Sequence, residues 1–187
     1  SMNTSWYLIT DTTKYVYGNN IVLNEVYEAE NLIGYAVKKE QSIFTEEDIV
    51  FGDTVISESG DELPLLEISR LAFMFSVFNS FTLKHGSMTI YDTPSELSSV
   101  VNEESSADCQ HTVNIASNAF MAVTATELNF LVDITFDDIS VDNSEYADFE
   151  KYHSVEVFAG SGIDRITLPD SLTLIPNSAF SGCWNLK

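Results

Sequence analysis

The sequence predicts an α+β, β-rich fold, with a strand-rich part over residues 1–62 followed by a short, irregular stacked array over 63–187. The two parts are compatible with one continuous domain. Three observations carry this expectation. The first sixty residues hold short runs of aromatic and β-branched residues, which suit a pleated, half-buried surface. A ten-residue pattern then recurs three times, and repetition of apolar positions at that scale means units that cover one another's faces. Two later segments carry helix signals.

Taken in order, the runs at 6–10, 15–17, 21–27, 35–37 and 49–56 are expected strands. Gly18, Asn19 and Asn20 tolerate positive φ, so 15–17 and 21–27 are expected to pair as a hairpin. Residues 28–40 match neither the helical nor the strand period and stay open between the two. The apolar stretch 63–83 is interrupted by Pro64, Glu67, Arg70 and Asn79, which makes it core rather than a membrane span. Thr93, Pro94 and Glu96 stand in capping-box order and predict a short helix over 94–101, while 144–152 is helix-compatible. Residues 103–108 form a polar acidic loop, and Asp137, Asp138, Asp142 and Asn143 mark a turn. The repeated pattern occupies 64–73, 111–120 and 171–180, and each copy ends in Ile, three residues, Ala-Phe.

Charge is the strongest compositional feature. The formal net charge is −21, and no Lys or Arg stands between Lys84 and Lys151 while thirteen carboxylates do. With 44% hydrophobic and 12% aromatic residues the chain can nevertheless fill a core, so the acids are expected outside an ordered body. Such a field repels nucleic acid and anionic lipid and attracts basic surfaces. Two cysteines, Cys109 and Cys183, make neither a disulfide framework nor a zinc spacing. With Met2 taken as the native start, no basic segment precedes the apolar patch 6–9; a cytoplasmic chain without a signal peptide is expected, or a cell-surface one if a longer parent protein exists.

No catalytic signature stands out. His85, His111 and His153 are scattered without metal-binding spacing, and Cys109 lies two residues from His111 with no orienting partner or oxyanion motif in view. Asp137, Asp138, Asp142 and Glu145 are the best calcium candidates, yet they lack the alternation and central Gly of an EF-hand loop, and an ordinary solvated turn explains them better. No cofactor is expected.

The run 163–187, IDRITLPDSLTLIPNSAFSGCWNLK, resembles a BspA-type leucine-rich repeat, and the resemblance extends suggestively back to about residue 63. It implies a binding scaffold rather than an enzyme, and it implies that Ile166, Leu168, Leu172, Ile175, Ala179, Phe180, Cys183 and Leu186 are core positions. The expected function is therefore a non-catalytic protein-binding module that engages a basic protein through its acidic surface. The carboxylates nominated for that surface are Glu96, Glu103, Glu104, Asp108, Asp133, Asp137, Asp138, Asp142 and Glu145. Alternatives are a nucleic-acid mimic that inhibits a DNA-binding or DNA-processing protein and a fragment of a cell-surface adhesin. None of these readings involves direct contact with nucleic acid or membrane.

Overall fold

The computed structural model of the chain describes residues 7–16, 21–39, 41–94, 101–102, 111–137 and 156–187. Ten strands run along it: β1 (Tyr7–Val16), β2 (Ile21–Glu28), β3 (Asn31–Val37), β4 (Asp48–Ile56), β5 (Glu62–Ile68), β6 (Ser80–Thr89), β7 (Val113–Ile115), β8 (Glu127–Phe130), β9 (Ile134–Phe136) and β10 (Arg165–Thr167). They form one mixed sheet, and no helix occurs among the described residues. The expected α+β fold with a separate stacked array is therefore corrected to an all-β one. The helix expected over 94–101 falls mostly outside the described residues, and Pro94 and Val101 at its ends are not helical. The helix-compatible 144–152 lies wholly outside them.

β1, β2 and β3 form an antiparallel meander, in which Val16 faces Ile21 across the expected hairpin. The ambiguous stretch after residue 28 becomes strand β3, entered through a turn in which Ala29 has φ 53°. β5 joins the rest together. Its first residues run antiparallel to the end of β4, and its last ones lie between β3 and β7 in parallel pairing. From there one parallel ladder continues β5, β7, β9, and a second runs β4, β6, β8, β10. The sheet thus passes through residue 62 without a break.

The repeated sequence pattern has a direct structural counterpart. Glu67 pairs with Asn114 and Ile68 with Ile115, which is the alignment of the first two copies residue for residue. Their Ala-Phe turns also stack. The amide of Phe73 donates to the carbonyl of Ala119 (2.8 Å), that of Phe120 to Val157 (2.9 Å) and that of Phe158 to Ala179 (3.0 Å). The rings follow the backbone: Phe73 to Phe120, Phe120 to Phe158 and Phe158 to Phe180 lie at 5.2, 5.8 and 5.1 Å between centroids. Such aromatic contacts are worth about 0.5–1.5 kcal/mol each beyond the burial of their area. Phe51, Phe81 and Phe130 complete the core around this column. Of the positions that the leucine-rich-repeat resemblance puts inside, Ala179 is buried, and Ile166, Leu168, Leu172, Phe180, Cys183 and Leu186 pack partly buried against the core. Ile175 is corrected to a surface position, 49% exposed, because 172–175 forms no strand beside β9.

Candidate functional site

Only two of the nominated carboxylates, Asp133 and Asp137, fall in the described residues; Glu96, Glu103, Glu104, Asp108, Asp138, Asp142 and Glu145 lie outside them. The two flank β9 and have opposite fates. Asp133 is exposed and accepts a hydrogen bond from Ser171 Oγ at 2.6 Å. Asp137 is corrected from a partner-facing charge to a buried one. The amide and hydroxyl of Ser117 donate to its Oδ2 at 3.0 and 2.9 Å, and Asn114 Nδ2 donates to its Oδ1 at 2.8 Å. A buried carboxylate that accepts three donors inside the fold anchors a turn rather than presenting its charge to a partner.

The histidines also serve the fold. His85 Nδ1 stands 3.3 Å from the buried Asp53 carboxylate, and His111 Nε2 lies 2.9 Å from the Asp53 carbonyl oxygen. Cys183 packs behind the last stacked ring, with its thiol donating to the Phe158 carbonyl at 3.1 Å. No group of three His, Cys, Asp or Glu close enough to hold a metal occurs among the described residues. His153 and Cys109 lie outside them.

The exposed acids that the structure does bring together lie at the start of β4. Glu46, Glu47 and Asp48 are consecutive and exposed. Asp48 accepts from Ser80 Oγ (2.7 Å) and Asn79 Nδ2 (2.6 Å), and these two hydrogen bonds hold its pKa below the usual carboxylate value, so it stays ionised. Next along the same border, Glu127 is paired with Arg165 at 3.1 Å. Lys14, on β1, is committed to Glu58 and Asp92, whose hydrogen bonds push its pKa upward against the opposing effect of burial.

Beside the three acids stands an apolar row that sequence reasoning did not single out. Phe44 pairs in parallel with Val77, and Val77 with Thr124. The amide of Val77 donates to the Ile43 carbonyl (2.7 Å), and the amide of Thr45 to the Val77 carbonyl (2.9 Å). Phe44 is 75% exposed, Phe75 59% and Val77 38%. Large apolar side chains clustered at the surface and rimmed by charge mark interaction sites more often than isolated ones do.

Phe75 has a further peculiarity. The residue two places after each stacked Phe has left-handed backbone: Phe75 (φ 62°), Ala122 (54°), Gly160 (68°) and Gly182 (73°). Two of the four turns meet this demand with glycine, which accepts positive φ without strain, while a bulky residue there is a genuine outlier. The signal was in the sequence, as Ala-Phe-Met-Phe at 72–75 set against Ala-Phe-Ser-Gly at 179–182.

Among the described residues, no helix is long and apolar enough to cross a membrane. Comparison with known proteins finds no matching family model, no matching curated protein and no matching solved structure.

Proposed function

We propose that the protein is a non-catalytic binding module that engages a basic protein partner, with Phe44, Phe75 and Val77 as apolar anchors and Glu46, Glu47 and Asp48 as the charged rim. The observation that carries this reading is Phe75, a large aromatic residue left exposed at a left-handed turn position that two of the three sister turns fill with glycine and the third with alanine. Local strain of this kind costs on the order of 1–3 kcal/mol and persists where it serves a site. Aromatic residues at the centre of an interface supply most of its affinity, and a complementary rim charge steers encounter and chooses the sign of the partner. The net charge of −21 favours a cationic partner at longer range. The resemblance of 163–187 to a leucine-rich-repeat unit also favours a scaffold over an enzyme.

The test separates strain from function. Phe75→Gly relieves the left-handed backbone and is expected to hold or raise folding stability by about 1 kcal/mol. The same substitution, like Phe44→Ser, should abolish retention of basic proteins that the wild type holds at about 50 mM salt and releases at about 500 mM. Displacement of the retained protein by duplex DNA would assign the nucleic-acid-mimicking form of this activity. Retention that is equal for wild type and both variants would overturn the reading.

A further inference from the structure

Among the described residues, the ladder β5, β7, β9 ends at β9. In a parallel ladder the N–H and C=O of one residue face the same neighbour, and alternate residues face opposite neighbours. The amide of Val113 donates to the carbonyl of Asp133 (3.0 Å), and Thr135 pairs with Asn114, so Asp133 and Thr135 turn toward β7. The N–H and C=O of Ile134 and Phe136 consequently point away from it. Among the described residues no strand pairs with that side of β9. Across the gap runs 171–177, tied to β9 at one end by the bond from Ser171 to Asp133 but forming no strand itself. The two walls enclose a cleft of about 500 Å³, into which Phe136, Leu172, Leu174 and Ile175 contribute apolar surface. Leu174 is 71% exposed there.

We propose that this cleft binds an extended peptide segment of another protein, added as a further parallel or antiparallel strand on the open edge of β9. Main-chain hydrogen bonds to Ile134 and Phe136 would supply affinity, and pockets for alternate side chains would supply selectivity. The matching segment is apolar at alternate positions, continuing the inward register of Ile134 beside Val113 and Ile115. It carries Lys or Arg at the end near the exposed Asp133 and Asp170. Charge decides between occupants. A second copy would bring its own −21 to the same edge, whereas a basic segment is drawn in by that field. The proposal uses neither Phe44 nor Phe75 and stands apart from the reading above.

A library of random ten-residue peptides panned against the full chain tests it, with Leu174→Asp as the blocking variant; the side chain is exposed, so the change leaves the core intact. Selected peptides are expected to alternate β-branched with polar residues and to end in Lys or Arg. They should bind the wild type and Phe75→Gly alike, and bind Leu174→Asp about tenfold or more weakly. Peptides N-methylated at alternate amides should lose a similar factor, and the amides of Ile134 and Phe136 should exchange with solvent rapidly in the free protein and slowly in the complex. Four results would overturn the proposal: no enriched sequence, enriched sequences that bind Leu174→Asp equally, slow exchange at Ile134 and Phe136 in the free protein, or a dimer of the chain that Leu174→Asp dissolves.

Discussion

Glu67 is the most deeply buried acid among the described residues. It lies on β5 at 1% exposure, accepts from Asn114 Nδ2 at 3.2 Å, and shares that amide with Asp137. Loss of hydration raises its pKa, and the neighbouring Asp137 charge raises it further. The sign follows from linkage. A carboxyl whose pKa is higher folded than unfolded binds its proton more tightly in the native state, so its contribution to stability is fully present at low pH and is lost as pH rises through the folded value. Glu67→Gln keeps an acceptor for Asn114 and removes the charge. It is expected to stabilise the protein by about 1 kcal/mol at pH 7, with the gain shrinking as pH falls through the raised folded value and gone by about pH 4, as read from urea unfolding across pH. A variant less stable than the wild type at neutral pH would contradict this. Nothing in the sequence distinguished Glu67 and Asp137 from the other carboxylates, because burial of an acid depends on which donors another strand brings opposite it. The anchoring acid and the surface acid on either side of β9 look alike as letters.

At the scale of elements, β4 and β6 approach so closely that a Cβ on Gly52 would lie 2.3 Å from the carbonyl oxygen of Gly86. The contact sits at the irregularity between Gly52 and Thr54, where Asp53 Oδ1 accepts the Gly86 amide (3.0 Å) and Thr54 Oγ1 donates to the Gly86 carbonyl (3.1 Å). Backbone cannot yield there as a flexible side chain would. Gly52→Ala is therefore expected to cost about 2–4 kcal/mol, whereas the same change at Gly162, where an added Cβ would lie 3.9 Å from the Val123 carbonyl oxygen, should cost less than about 1 kcal/mol. Parallel thermal melts of the two variants check this, and equal losses would sink the argument. The strands β1, β2 and β4 were legible as runs of branched and aromatic residues, and the pairing of β5 with β7 was legible as the shared pattern of 64–73 and 111–120. The close approach at Gly52 was not, since a glycine inside a strand run records only permissiveness and not what stands opposite. Phe44 and Phe75 were hidden for a related reason: apolar identity predicts burial, and only the position of the turns in space shows that these two rings face out.

For the molecule as a whole, hydrophobic patterning predicted how strands begin and end better than how the parts join. Stacked turns and parallel ladders share one sheet with the N-terminal meander because β5 hydrogen-bonds to β3, β4 and β7 at once, a branching that no linear pattern encodes. That sheet belongs to a chain whose formal charge is −21. Two cations are spent locally, Lys14 on Glu58 and Asp92 and Arg165 on Glu127, and with 8 Lys and Arg against 29 Asp and Glu the remaining repulsion is relieved chiefly by mobile ions. The unfolded chain spreads the same charges over a larger volume and gains less from screening. Raising ionic strength from about 10 mM to about 300 mM shortens the screening length from roughly 30 Å to under 10 Å, comparable to the spacing between strands two or more apart in the sheet. The melting temperature should rise by about 5 °C over that range, equivalent to some 1–2 kcal/mol for a chain of this size. Sodium and potassium chloride should act alike at equal ionic strength, because screening depends on charge and concentration and not on ion identity. A melting temperature that falls with salt, or one that responds only to calcium, would show that the acids are held by something other than a diffuse counterion atmosphere.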